Sequence, residues 1–179
     1  MKNKFFLGLA LLVITGCGPS IRVFSDYDKS LPVSHYKTYN WSDLKPVTRE
    51  GTNPRYVSAL TDERIRKAVN RELTGLGFTS SAVNASMEVH YHIVVADKTM
   101  TVTEPFGYRY SPYLEQKMTN TYEYREGTLI IDLFDTQTNE LVWRGWATDV
   151  ITDKAVKEPE KAINYAVKEI FKRSPFATQ

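Results

Sequence analysis

Residues 128–150 read Thr-Leu-Ile-Ile-Asp-Leu-Phe-Asp-Thr-Gln-Thr-Asn-Glu-Leu-Val-Trp-Arg-Gly-Trp-Ala-Thr-Asp-Val. Leu129, Ile131 and Leu133 fall on one face and Thr128, Ile130, Asp132 and Phe134 on the other, which is the two-residue period of a strand. After Glu140 the same period returns, with Leu141, Trp143, Gly145 and Ala147 set against Val142, Arg144, Trp146 and Thr148. Between the runs, Asp135-Thr136-Gln137-Thr138-Asn139 carries turn chemistry. Asp135 can accept backbone N–H groups and Asn139 tolerates a left-handed conformation. The stretch is a β-hairpin, and its register would set Arg144 beside Asp132 as a cross-strand ion pair.

Working outward, Ile21–Asp28 alternates as a first strand and His35–Trp41, rich in aromatic and β-branched residues, as a second, with Tyr39 and Trp41 facing inward. Residues 42–60 hold Pro46, Gly51 and Pro54 and read as a loop. A helix follows, with Thr61 as cap, Leu60 as a staple for Ile65, and Ile65, Ala68, Val69, Leu73 and Leu76 as its apolar stripe. Arg64, Arg66, Lys67 and Arg71 form its solvated face, and Gly75 or Gly77 ends it. Met87–Lys98 is a further strand. The pattern breaks over residues 99–118, which read as a loop folded back over the open sheet face, and resumes from Thr119 into the hairpin with a bulge at Gly127. A last helix begins near Pro159, buries Ala162, Ile163, Ala166, Val167, Ile170 and Phe171, and stops before Pro175. The predicted fold is α+β in two layers: an antiparallel sheet of about five strands with two helices on one face, in the order ββαβββα.

The first residues carry a different message. Lys2 and Lys4 precede an uncharged apolar run, Phe5–Ile14, which is too short for the roughly 20 residues a membrane-crossing helix needs. Residues 1–16 therefore read as a signal peptide. Ile14-Thr15-Gly16-Cys17 has the pattern of a bacterial lipobox, and Cys17 is the chain's one cysteine. On this reading Cys17 receives diacylglycerol on its thiol and a further chain such as palmitate on its amine. One chain binds a membrane only marginally and two or more hold it stably. Residues 17–20 would be the lipidated end and a short tether, and residues 21–175 one domain. Gly18 after the cysteine favours the outer membrane over the inner. Removal of Lys2 and Lys4 leaves 21 basic against 21 acidic residues, and no basic footprint for nucleic acid remains.

Asp26-Tyr27-Asp28, Tyr36-Lys37-Thr38-Tyr39 with Trp41, Tyr91-His92, Glu126–Asp132 and Val142–Ala147 together resemble the bacterial lipoprotein family called domain of unknown function 4136. The resemblance implies an envelope lipoprotein of α+β fold. It implies no established activity and supplies no catalytic residues.

Motifs for chemistry are sparse. The sequence has no G-x-S-x-G elbow, no H-E-x-x-H and no phosphate-binding glycine loop. His90 and His92 project from one strand face and are the candidate metal ligands, with Glu88 beside them and His35 a distant third. A metal-dependent hydrolase built on His90 and His92 is thus the alternative function. The leading expectation is a non-catalytic binding or structural domain without a cofactor, held to the bilayer through Cys17. Phe106, Tyr108, Tyr110 and Tyr113 would offer flat amphipathic contacts to an envelope protein or glycan.

Overall fold

A computed structural model describes residues 21–30, 32–43, 56–106 and 116–178. Strands β1 (Arg22–Tyr27), β2 (Thr38–Trp41), β3 (Thr79–Ser80), β4 (Met87–Phe106), β5 (Gln116–Asp135) and β6 (Leu141–Val150) form one sheet in the order β1-β6-β5-β4-β2-β3. Helices α1 (Ala59–Gly75), α2 (Asp153–Lys157) and α3 (Pro159–Phe171) complete the α+β fold. The predicted class holds, with two differences in detail. The sheet has six strands, and it is mixed, because β2 runs parallel to both β3 and β4. A parallel pair needs a long crossover, and α1 provides it between β2 and the later strands. Nothing local in a four-residue strand announces its partner.

The hairpin forms as the sequence predicts. Asp135 Oδ1 accepts the backbone N–H groups of Gln137 (2.7 Å) and Thr138 (2.9 Å), and Asn139 takes a φ of 58°. The bulge lies elsewhere than expected. Gly127 sits in regular register with Val95 and Asp149, while the shift falls between Leu133 and Phe134. Gly127 answers a packing need instead, since a Cβ there would stand 3.2 Å from the Ile151 side chain.

One core lies between the sheet and the two long helices. Met87, Val89, Ile131, Leu133, Val142 and Trp143 meet Ile65, Val69 and Leu73 of α1 and Val167 and Ile170 of α3, all fully buried or nearly so. The helix ends differ in part from the sequence reading. Ser58 is the N-cap of α1, its hydroxyl accepting the Thr61 N–H at 3.2 Å, and Leu60 is exposed, not stapled. Ser58 and Thr61 are equally good capping residues, so the choice falls to the chain's entry path. At the other end Gly77 adopts a φ of 86°, and the N–H groups of Gly77 and Phe78 return to the carbonyls of Thr74 and Leu73, closing a Schellman motif. Short α2, capped by Thr152, precedes α3 and was not foreshadowed.

Gly145 sets the distance between α3 and the sheet. A Cβ at this position would lie 2.6 Å from Ile170 Cγ2 and closer still to the Trp143 ring, so the close packing of β6 on α3 requires glycine.

The largest departure from expectation concerns residues 99–106 and 116–118; residues 107–115 of the predicted loop lie outside the described residues. Strands β4 and β5 stay paired from Met87↔Asp135 to Phe106↔Gln116. The neighbour β6 stops at Val150↔Glu126, and β2 accompanies β4 only from Met87 to Val89. From Asp97↔Arg125 onward the ladder therefore continues as a two-stranded arm of ten rows, about 34 Å long at the usual strand rise. Among the described residues neither face of the arm is covered by a helix, so it lacks the continuous Val/Ile/Leu face of a core strand, which is why its sequence reads as loop. Pro105 fits because it sits on a strand with a free edge.

Candidate functional site

The side chains that alternate away from the helices form an open sheet face. Register aligns them in rows across four strands: Val94, Thr128, Thr148 and Arg22; His92, Ile130, Trp146 and Phe24; His90, Asp132, Arg144 and Asp26. Asp132 stands at the centre and is fully buried, although no helix covers it. His90 and Arg144 flank it in register, and Ile130 and Phe134 precede and follow it on the same face.

Arg144 grips this carboxylate with both prongs, Nε donating to Oδ1 at 2.6 Å and Nη2 to Oδ2 at 2.7 Å. The predicted cross-hairpin pair is thus present and bidentate, the stronger geometry for such a pair. Its guanidinium is held in the charged form chiefly by that hydrogen bonding. His92 Nε2 lies 3.6 Å from Asp132 Oδ2, beyond good hydrogen-bond range. Desolvation lowers the His92 pKa, outweighing the opposite pull of the Asp132 charge, so the imidazole is neutral at pH 7. His90 leans on the Phe134 ring, centroids 4.8 Å apart, and its Nε2 is 3.1 Å from Glu88 Oε2.

His90 and His92 do share a face, as their spacing requires. Among the described residues, however, no group of three or more His, Cys, Asp or Glu side chains is placed to hold a metal ion. Arg144 occupies the position beside Asp132 where a cation would sit, and His35 lies in a 3-10 turn, exposed and off the sheet. With both oxygens of Asp132 engaged by Arg144, the carboxylate is neutralised in place and suits a structural role better than proton transfer.

Around this polar centre the face is aromatic and apolar. Phe24 stacks on Trp146 across β1 and β6 with centroids 5.5 Å apart, and Phe24 remains 51% exposed. Thr128 and Thr148 join hydroxyls at 2.9 Å. The same face continues through Val94, past the Arg22–Glu126 ion pair and Lys98, onto the arm, where Met100 pairs with Tyr122 and both are half exposed. Phe24 and Trp146 were not singled out from sequence, because their contact depends on β1 pairing with β6, more than a hundred residues away in the chain. Phe106 closes β4; Cys17, Tyr108, Tyr110 and Tyr113 lie outside the described residues.

A second polar cluster serves the fold. Tyr91 donates to Asp62 (2.7 Å), Asp62 pairs with Arg66 (3.0 Å), and Arg66 lies 4.6 Å above the Trp41 ring. Tyr39 and Trp41 both donate to Asn70 Oδ1, at 3.0 and 2.9 Å. Arg66 is therefore tied to the α1–β2–β4 junction rather than being merely solvated. Tyr36, whose hydroxyl donates to Asp135 at 2.9 Å, has its pKa pushed up to about 12, first by burial and then by that carboxylate.

The profile of domain of unknown function DUF4136 matches residues 23–176. The chain belongs to this family. Among solved structures, a DUF4136 family protein from Bacteroides thetaiotaomicron is similar at 18% identity and a TM-score of 0.58, over 87% of this chain and 96% of that one. A PDZ domain protein from Parabacteroides distasonis is similar at 13% identity and a TM-score of 0.55, over 88% of this chain. The chain spans 37% of the length of that protein. At these identities the likeness is one of fold. No curated protein matches the sequence. The DUF4136 fold thus holds from β1 to the final 3-10 turn at Pro175–Thr178, and the family resemblance read from the sequence is correct. Among the described residues, no helix is long and apolar enough to cross a membrane.

Proposed function

We propose that this protein is a bacterial envelope lipoprotein, anchored at the outer membrane through acylated Cys17, that works as a non-catalytic binding or structural accessory domain. The lipobox Ile14-Thr15-Gly16-Cys17 and the family membership support the anchor. The binding role rests on one observation: an open sheet face with a charge-neutralised centre continues as an exposed strip onto a projecting arm. Phe24, Val94, Met100 and Tyr122 all remain more than a third exposed along it. Such a strip costs solubility in isolation and is the usual mark of an interaction surface. Phe106, Tyr108, Tyr110 and Tyr113, at and beyond the end of β4, would extend it toward an envelope protein or glycan.

Two measurements test this reading. Cys17→Ser should move the protein from the detergent phase to the aqueous phase of a phase-partition assay; unchanged partitioning refutes the anchor. Replacing Phe106, Tyr108, Tyr110 and Tyr113 together with alanine should abolish the partner captured by cross-linking in intact cells while the melting temperature stays the same. A partner retained at wild-type yield removes the aromatic segment from the binding surface.

A further inference from the structure

Strand β1 enters the sheet with Arg22 opposite Thr148, level with Val94 of β4. Because β1 is antiparallel to β6, its first residue lies at the edge of the body from which the arm rises. Four residues lie between Cys17 and Arg22, five Cα steps with a reach of at most about 17 Å when fully extended. From Val94 to Phe106 the arm spans twelve residues, about 40 Å. An anchor on so short a leash brings this edge of the body against the headgroups, and the arm, more than twice as long, has no room to stand clear of them.

The arm is amphipathic in the matching sense. Register places Lys98, Met100, Tyr122 and Tyr124 on the face continuous with the open sheet face. The opposite face carries Asp97 paired with Arg125 (2.7 Å), together with Thr99, Thr101, Thr121 and Glu123, all exposed. Tyrosine, lysine and an apolar side chain on one side are the composition of a membrane–water boundary, where ring and stem bury and the polar tip stays wet. A two-stranded ribbon is marginal in water and gains from a layer beneath it.

We infer that the β4–β5 arm lies along the phospholipid surface, its Lys98–Met100–Tyr122–Tyr124 face toward the headgroups, so that the bilayer is the binding partner of this part of the molecule. The inference deepens the proposed function and rests on the Cys17 anchor.

The test uses full-length lipidated protein in vesicles of phosphatidylethanolamine and phosphatidylglycerol that carry nitroxide-labelled lipid. An environment-sensitive fluorophore is attached through Tyr122→Cys, Met100→Cys, Glu123→Cys or, at the far hairpin turn, Gln137→Cys. Quenching should be several-fold stronger at positions 100 and 122 than at 123 and 137. Protein that does not float with the vesicles overturns the anchor itself. Protein that floats while position 122 is quenched no more than position 137 overturns the placement of the arm alone. Cross-linking between copies through position 122, without quenching, assigns the face to a second copy of the chain and likewise overturns it.

Discussion

The lower and upper halves of strands β4 and β5 are the same two strands in two different environments. Up to Ala96 and Glu126 they belong to the body, with β6 beside β5, β2 beside the first residues of β4, and α1 and α3 over one face. Beyond, their ladder is with each other, apart from the Ile151 N–H donated to the Arg125 carbonyl at its base. In the lower half Val89, Ile131 and Leu133 are completely buried, and in the upper half Met100 and Tyr122 are half exposed. Backbone pairing alone is enough to continue a ladder, whereas stability comes from burying the side chains of one face. The body should therefore carry the folding free energy and the arm should be separable from it.

The contrast is most sharply tested at Trp143, wholly buried against Phe171 with ring centroids 5.2 Å apart. Trp143→Ala should cost about 3–5 kcal/mol in denaturant unfolding, whereas Tyr122→Ala on the arm should stay within about 0.5 kcal/mol. Comparable losses at the two sites would erase the distinction. Gly145→Ala comes next. Its Cβ has nowhere to go between Trp143 and Ile170, so overpacking should cost about 1–3 kcal/mol. An unchanged urea midpoint would mean that α3 sits farther from β6 than described here.

Arg144→Ala tests the open face at a smaller scale. It strips the buried Asp132 of both charge-assisted hydrogen bonds, but Arg144 is 44% exposed and solvent can partly replace it, so about 1–2 kcal/mol is expected. A pH series adds a signature. His92 has a lowered pKa, so the unfolded chain takes up its proton first; stability is full above about 6.5 and falls as the pH drops below it. His92→Gln should flatten that slope below about 6.5, while Tyr36→Phe should flatten instead the loss that follows as the pH rises from 10 toward 12. The smallest effect should follow from removing the arm. Asp97 and Arg125 are Cα partners, so replacing residues 98–124 with Asn-Gly closes a two-residue turn. The melting temperature should barely move, and a collapse of the fold would show that the arm supports the body.

Much of this architecture is written locally. The period of Thr128–Val150, the Asp135–Asn139 turn, the apolar stripes of α1 and α3 and the Asp132–Arg144 pair all involve residues within a few turns or one hairpin of each other, where spacing translates directly into geometry. The His90–His92 face was legible for the same reason, and its lack of a third ligand among the described residues follows from which strands stand beside β4. Residues 99–106 and 116–118 misled because, among the described residues, their ladder partners are one another and no core element, so the composition of a loop and of a two-stranded ribbon coincide. The N-cap of α1 turned on a choice between two hydroxyl residues, Ser58 and Thr61, and the bulge beside Phe134 has no glycine to mark it.

By itself the sequence determined an α+β domain of this family, its hairpin and its two amphipathic helices, because each depends on short-range periodicity or on a contiguous motif. Only the tertiary structure decided that β2 runs parallel to β4, that Phe24 stacks on Trp146, that Asp132 is buried on a face that no helix covers among the described residues, and that the start of β1 and the base of the arm lie at one edge. These depend on which strands are neighbours, a choice made by the burial of the whole core and not by any segment of it.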